Sequence, residues 1–267
     1  MNAETSVEPT LRLAEPVATG SGRWVLDPEV LTRNHIVGFG AMSDHSRPFF
    51  MIRSGLLHHA TAMHQRVFAV TSAQAGNGKT HIATNLAATL SRIHPTILLE
   101  LDLHQPSLGQ RLGLPTDTPG IDDYLSGEAA WEDTAIQIEG FDLTVHRVRL
   151  ARVNAGSLLA SAALADILKR LRSNSNGPIC IVDTPPALIG DDLVLIARGI
   201  DGVLLVAEEA RSRKRDIIDV ANALNPTPIV GTILNNSIAL QSRSNSYGYY
   251  YQDDREGHST GAPLANL

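Results

Sequence analysis

The sequence predicts an α/β fold built on a doubly wound, mostly parallel sheet. Short apolar runs rich in β-branched residues alternate with helical stretches from residue 67 onward. Runs such as 67–72 (VFAVTS) and 179–184 (ICIVDT) are continuous rather than alternating, which is typical of parallel strands covered on both faces. One intervening helical stretch has a single apolar face, formed by Leu164, Ile167, Leu168 and Leu171. Ligands of such folds bind at the carboxyl ends of the strands.

The predicted elements open with a βαβ unit, in which a helix at 81–93 follows the first strand. The predicted strands are 67–72, 96–103, 143–148, 179–184, 201–208 and 227–235. The chain ends on either side of them mix Gly, Ser and charged residues without periodicity. We therefore predict a flexible N-terminal leader at 1–33, one domain at 34–238, and a flexible, disordered tyrosine-rich tail at 239–267.

The composition excludes several classes of function. A net charge of −6 in 267 residues argues against a nucleic-acid partner. The single cysteine, Cys180, lies in an apolar run, which indicates a buried thiol in a reducing compartment. No stretch approaches 18 apolar residues, and the first residues lack the pattern of a signal peptide. We therefore expect a cytoplasmic protein that reaches a membrane only through a partner.

A phosphate-binding loop (P-loop, or Walker A motif) is predicted directly after the first strand. Residues 73–80 read AQAGNGKT, which matches the motif except that alanine replaces the first glycine. Gly76 and Gly78 allow backbone N–H groups to surround phosphate oxygens, and Lys79 adds a positive charge. Thr80 can offer its hydroxyl to Mg²⁺ at the start of the next helix.

Acidic residues end two other predicted strands. Asp183 closes an apolar run, where P-loop proteins place a carboxylate that holds the metal. Glu100 and Asp102 are two residues apart and hence on one side of an extended chain, which suggests a metal ligand and a base. The alternative for this pair is an ordinary solvated strand end.

These motifs, taken along residues 36–251, resemble those of the bacterial tyrosine kinases (BY-kinases) of capsule and exopolysaccharide biosynthesis. The similar segments are VFAVTSAQAGNGKTHIATNLA, LLELDLHQP, GIDDYLSG, NAGSLLAS, IVDTPPALIGDD, DGVLLVAEEARSRKRD and VGTILNNS, followed by a tyrosine cluster. The chain resembles the stand-alone cytoplasmic, CpsD/CapB-like form. The resemblance implies a three-layer P-loop NTPase fold of the MinD/ParA-like branch. Gln74 stands where MinD and ParA carry a signature lysine, which favours the kinase branch.

The resemblance implies an autophosphorylating protein-tyrosine kinase that regulates polysaccharide polymerisation and export, with ATP and Mg²⁺ as cofactors. The implied catalytic residues are Lys79, Glu100, Asp102 and Asp183, with Thr80, Asp102 and Asp183 at the metal. The implied nucleotide-binding residues are Gly76, Asn77, Gly78, Lys79, Thr80, His81 and, on the side of the base, Asn235. The implied autophosphorylation sites are Tyr247, Tyr249, Tyr250 and Tyr251. The domain at 34–238 is then a P-loop kinase or ATPase domain.

Two positions depart from the family's pattern. Glu100 replaces the first aspartate of Asp-x-Asp, which keeps the carboxylate on a longer arm. The family's subunit-contact motif, Glu-x-x-Arg-x-x-Arg, falls on Arg47, Phe50 and Arg53, of which only Arg53 matches. The number of subunits is therefore left open, with a homo-oligomer as one alternative.

The resemblance also implies partners. They are a membrane-spanning polysaccharide co-polymerase or chain-length regulator, whose cytoplasmic segment switches the kinase on, and a phosphotyrosine phosphatase. Such a kinase lies at the inner face of the plasma membrane through its partner.

Two other functions stay open on the residues alone. The first is an ATP-binding regulatory scaffold of a polysaccharide export assembly with little or no kinase activity, supported by Glu100 and Phe50. The second, a MinD-like positioning ATPase, is weakened by Gln74 and by the lack of an amphipathic C-terminal helix.

Overall fold

A seven-stranded sheet forms the centre of the molecule, which is described here from a computed structural model covering residues 22–237. The strands are β1 (Val67–Ser72), β2 (Thr96–Glu100), β3 (Ile136–Gln137), β4 (Leu143–His146), β5 (Ile179–Asp183), β6 (Gly202–Glu208) and β7 (Ile229–Asn235). Their spatial order is β3-β4-β2-β5-β1-β6-β7. All neighbouring strands are parallel except β3, which is antiparallel to β4.

Helices connect the parallel strands. They are α1 (Pro28–Arg33), α2 (Arg47–Met63), α3 (Lys79–Leu90), α4 (Leu108–Leu112), α5 (Ile121–Leu125), α6 (Ala155–Leu159), α7 (Ala162–Ser173), α8 (Asp192–Ala197) and α9 (Lys214–Leu224), with a 3₁₀ turn at Glu132–Thr134. No helix in the part described, residues 22–237, is long and apolar enough to cross a bilayer.

The core lies on both faces of the sheet, because successive side chains of each central strand point to opposite layers. On β1, Val67 and Ala69 pack in one cluster with the apolar face of α7, whereas Phe68 and Val70 pack in the other with α3. The four α7 residues predicted to form that face are all buried. The predicted three-layer fold with a mostly parallel sheet is therefore confirmed.

The predicted strands are found, with shifts at their ends. The strand predicted at 96–103 ends at Glu100, and the one predicted at 143–148 ends at His146. The helix predicted from residue 81 begins at Lys79. The two-residue β3 was not predicted, because it is too short for a period and is defined by its pairing with β4.

The predicted leader boundary at residue 33 differs from the described structure. Trp24 exchanges backbone hydrogen bonds with the edge strand β3 and the second residue after it, donating to Gln137 (2.7 Å) and accepting from Glu139 (2.9 Å). Asp27 caps α1, which occupies the end of the predicted leader. Residues 22–33 are thus folded against the domain, because Trp24 satisfies free backbone groups at the sheet edge.

Candidate active site

The loop at residues 73–80, here called the P-loop, joins β1 to α3 with the backbone shape that its glycines predict. Gly76 and Gly78 have φ of 83° and 91°, a conformation that favours glycine. Asn235, at the end of β7, donates from its side-chain Nδ2 to the carbonyl oxygen of Asn77 (3.0 Å). The same amide occupies the space that a Cβ atom on residue 78 would need. Both the backbone angle and this contact therefore require glycine at position 78.

Lys79, the first residue of α3, is held between two carboxylates. Its Nζ lies 2.7 Å from Oδ2 of Asp102 and 3.9 Å from Oδ1 of Asp183. Burial acts to lower the pKa of Lys79, but the charges of Asp183 and Asp102 outweigh burial and raise this pKa above its usual value. Lys79 is therefore a charged ammonium group at neutral pH.

Asp183 ends β5 as a fully buried acid. Neither of its oxygens accepts a hydrogen bond of normal geometry from any residue in the described range. Burial raises the pKa of Asp183 to about 6, opposed by the charge of Lys79 and by the nearby Thr80 hydroxyl. A buried carboxylate without donors is costly for the fold. Its free oxygens beside a hydroxyl are the ligand type that Mg²⁺ prefers, so the residues fit this metal.

Glu100 ends β2 next to Asp183 in the sheet, but its carboxylate is already bonded within the chain. Oε1 accepts from the N–H groups of Ser107 (2.7 Å) and Leu108 (2.8 Å), and Oε2 accepts from the N–H of Val148 (2.9 Å). Burial and the charge of Asp183 raise the pKa of Glu100 to about 7 against these three donors. Glu100 therefore holds the loops after β2 and β4 together.

A cavity of about 550 Å³ opens beside the P-loop. The P-loop and α3 contribute Gly76, Gly78, Lys79, Thr80 and His81, and the segment after β2 contributes Asp102, Gln105, Ser107 and Arg111. Glu100 is not among the lining residues, so the structure assigns the two predicted acids to different places. The size and the charged lining suit a nucleotide phosphate chain with its metal.

His81 separates this cavity from a second one of about 450 Å³. Asn235, Asn236 and Phe49 also line the second cavity. Burial and the positive charges of Arg111 and His35 lower the pKa of His81 to about 4. His81 is therefore neutral at pH 7, and the second cavity is less charged than the first.

Glu208, at the end of β6, is a site residue that the sequence analysis missed. Its carboxylate accepts hydrogen bonds from Asn77 of the P-loop (3.0 Å), Arg211 (2.9 Å) and Asn236 (3.0 Å). The sequence feature that could have identified Glu208 is its position at the end of an apolar strand, which it shares with Asp183. Arg111 was also missed, and no local motif marks it.

No protein-family model matches the chain, but several curated proteins are similar to it. The chain is 23% identical to the putative tyrosine-protein kinase CapB of Staphylococcus aureus, over 78% of this chain and 91% of CapB. It is 26% identical to the tyrosine-protein kinase CpsD of Streptococcus agalactiae, over 72% of this chain and 84% of CpsD. It is 28% identical to the tyrosine-protein kinase Wzc of Salmonella typhi over 74% of this chain, but the match spans only 28% of Wzc.

Solved structures agree with these relatives. The kinase domain of VpsO has a TM-score of 0.63 at 29% identity, over 70% of this chain and 92% of that one. The chimerical protein CapA2B2 has a TM-score of 0.67 at 25% identity, over 79% and 91%. The chain is thus similar in sequence and fold to the CpsD/CapB-like bacterial tyrosine kinases. MinD of Pyrococcus horikoshii, solved with Mg-ADP, shares the fold at 20% identity and a TM-score of 0.55, over 66% of this chain and 76% of that one. The predicted resemblance is thus confirmed.

The fold brings most of the predicted site residues together at the carboxyl end of the sheet. Lys79, Thr80 and Asp102 line the first cavity, and Asp183 lies behind Lys79. The side chain of Asn235 donates a hydrogen bond to the carbonyl of Asn77 and so holds the P-loop to the end of β7. The four predicted acceptor tyrosines lie outside the described residues.

The three positions of the degenerate subunit-contact motif all lie on α2. The Arg53 guanidinium stacks over the Phe50 ring at 4.8 Å and donates to the carbonyl of Thr89 (3.3 Å). Arg47 is exposed. Two of the three side chains thus make contacts within the chain.

Proposed function

We propose that this protein is an MgATP-dependent protein-tyrosine autokinase that regulates the polymerisation and export of a capsular or exopolysaccharide. The observation that carries the proposal is the arrangement of Lys79 between Asp102 and the bare carboxylate of Asp183, at a cavity beside the P-loop. An ammonium group and two acids in this order match what phosphoryl transfer requires.

Three residues would hold the magnesium ion. Thr80 supplies a hydroxyl, Asp183 a buried carboxylate, and Asp102, which lines the cavity, one carboxylate oxygen, which leaves its other oxygen for proton transfer. A magnesium ion held here would neutralise charge on the terminal phosphate oxygens. It would also satisfy the two Asp183 oxygens that accept no hydrogen bond among the described residues.

The transfer needs Lys79 and Asp102 to separate. A bond forms between the tyrosine Oη and the γ-phosphorus, while the bond from that phosphorus to the bridging oxygen of ADP breaks. The phenol, with a pKa near 10, gives its proton to the carboxylate of Asp102. Lys79 exchanges its 2.7 Å contact with Asp102 for a phosphate oxygen, which frees that carboxylate to act as the base.

The second cavity is assigned to the nucleoside end of ATP. Asn235 lines it and bonds the P-loop carbonyl of Asn77 with the same side chain. Neutral His81 lies between the two cavities and lines both. The charged and uncharged ends of the nucleotide would thus be matched by two different linings.

The acceptors are proposed to be Tyr247, Tyr249, Tyr250 and Tyr251 of a neighbouring subunit. The proposed partners are the cytoplasmic segment of a membrane-spanning co-polymerase, which would keep the kinase at the inner face of the plasma membrane, and a phosphotyrosine phosphatase.

Lys79→Met tests the proposal. The variant removes the ammonium group while keeping a side chain of similar length, so phosphotyrosine should fall to background in the presence of MgATP and the partner's cytoplasmic segment. Intact-mass measurement before and after phosphatase treatment counts the phosphates. Lys169→Met, an exposed lysine on α7, is the matched control and should keep wild-type phosphorylation. Wild-type protein that gains no phosphate under these conditions would rule the kinase out.

A scaffold with little kinase activity remains the alternative, and one observation favours it. Glu100, the second carboxylate of the predicted acidic pair, is fully bonded to backbone N–H groups and is not available as a base. The proposed kinase therefore depends on Asp102 alone for proton transfer.

A further inference from the structure

Arg111 is a cation of the first cavity that forms no ion pair with any residue between 22 and 237. It lies on α4 and lines the cavity together with Lys79 and Asp102. Its Nε is buried and has no hydrogen-bond partner among the described residues. Within residues 22–237 no carboxylate lies within 4 Å of its guanidinium nitrogens.

Arg211, a second arginine near the P-loop, differs from Arg111 because its charge is balanced by an ion pair within the chain. Its guanidinium lies beside Gly76, on the other side of the P-loop, and is paired with Glu208 at 2.9 Å. A buried donor without an acceptor, such as the Nε of Arg111, is costly because it has lost water without gaining a partner. Arg111 is therefore set up to meet an anion that enters the cavity.

The sheet order indicates which end of a nucleotide Arg111 would meet. β2 and β7 lie on opposite sides of β1, the strand that leads into the P-loop. Asn235, assigned to the nucleoside end, comes from β7, whereas Asp102 and Arg111 come from the segment after β2. The charge of Arg111 also acts on Asp183, the proposed metal ligand. Arg111 thus lies on the side of the terminal phosphate.

We propose that Arg111 binds the terminal phosphate of ATP as a second cation beside Lys79. This assignment rests on the proposed MgATP site. A guanidinium can donate two parallel hydrogen bonds to a phosphate, and an arginine supplied from the same chain stabilises the charge of phosphoryl transfer. The anchored backbone supports this role, since the Arg111 carbonyl accepts a hydrogen bond from Asn34 Nδ2 (3.0 Å).

The experiment compares the affinities of the full-length protein for MgADP and for a magnesium-bound, non-hydrolysable ATP analogue by calorimetry. Arg111→Gln should weaken binding of the analogue by about 10- to 100-fold, the range for a hydrogen bond to a charged group. MgADP affinity should change by less than about 3-fold. Arg111→Lys should lie between, because it keeps the charge and loses the planar fork.

The chain offers a control that keeps composition and net charge. Gln110 is the exposed neighbour on α4, so the double variant Gln110→Arg/Arg111→Gln moves the guanidinium out of the cavity. This variant should lose analogue affinity as much as Arg111→Gln does. If the double variant bound the analogue with wild-type affinity, the proposal would be overturned, because a positive charge anywhere on α4 would then be sufficient for binding.

Equal loss of ADP and analogue binding in Arg111→Gln would also overturn it, since a structural defect moves both affinities. Unchanged affinity of Arg111→Gln for both ADP and the analogue would overturn the proposal as well. A wild-type protein that shows the Arg111-dependent preference for the triphosphate but forms no phosphotyrosine would instead remove the kinase proposal and leave the role of Arg111 intact.

Discussion

Asp183 and Glu100 end neighbouring strands and are both fully buried, yet their surroundings differ. Glu100 accepts three backbone hydrogen bonds, so its burial fixes two loops. The carboxylate of Asp183 accepts none from the described residues, and its nearest cation is Lys79, at 3.9 Å. Burial raises the pKa of both acids, but Glu100 joins two loops, whereas Asp183 has oxygens free for the proposed metal ion.

The replacement Asp183→Asn should make the protein more stable at high pH. The pKa of Asp183 is raised from 3.8 to about 6 by burial, so the folded chain holds this proton more tightly than the unfolded chain does. The stability from this group is present below pH 3.8 and is lost as the pH rises to about 6. Asparagine does not ionise, so the Asp183→Asn variant avoids this loss of stability.

The measurement is the melting temperature of both proteins at pH 5 and pH 8. The advantage of Asp183→Asn should be larger at pH 8 by on the order of 5 °C. Magnesium-dependent nucleotide binding should disappear in the same variant. A melting-temperature difference that is the same at both pH values would contradict the expected burial cost.

At the scale of elements, β7 and the P-loop act as one unit. Asn235 bonds the carbonyl of Asn77 and fills the space above Gly78. Gln74, where MinD and ParA carry lysine, donates to Asp216 at the start of α9 (3.2 Å). The P-loop is therefore shaped by two elements that follow it by more than 130 residues.

Gly78→Ala tests this unit. The added Cβ meets the amide of Asn235 at a φ of 91°, so nucleotide affinity should fall by more than about tenfold. Gly127→Ala is the matched control, because Gly127 also has positive φ (80°) but open space around its Cβ position. The control should cost about 1 kcal/mol of stability and leave nucleotide affinity unchanged. Equal nucleotide affinities in the two variants would show that neither the backbone strain nor the Asn235 contact at residue 78 affects nucleotide binding.

The strands and the P-loop could be predicted from the sequence, because their signals are local. The apolar run at 179–184 and the glycines of 73–80 each carry their own pattern. The partners of Glu100 could not be predicted, since they depend on a turn seven residues later and on a loop 48 residues away. Arg111 enters the cavity through the placement of α4, which no motif in the sequence indicates.

At the scale of the whole molecule, four of the five tyrosines lie beyond the described domain and one lies inside it. The hydroxyl of the fifth, Tyr124, donates to the carbonyl of Ala163 (3.2 Å) and its ring packs on Trp131. The four proposed acceptor tyrosines are different residues from those that line the two cavities among the described residues. Substrate and nucleotide roles can therefore be separated by mutation.

Replacing Tyr247, Tyr249, Tyr250 and Tyr251 by Phe should abolish phosphotyrosine and leave nucleotide affinity unchanged. If the protein acts as a kinase, the four replacements should also change the size distribution of the polysaccharide. Tyr124→Phe is the control and should keep wild-type phosphorylation and polymer size. If the four-fold variant makes polymer of normal size, the scaffold explains the protein better.

Glu208 links the P-loop to the last residues that the structure describes. Its carboxylate accepts a hydrogen bond from Asn77 in that loop and, through the other oxygen, one from Asn236, the residue before the last described position. Any displacement of Asn77 therefore acts on the same carboxylate that holds Asn236. The nucleotide loop and the residue that follows β7 are thus joined through a single side chain.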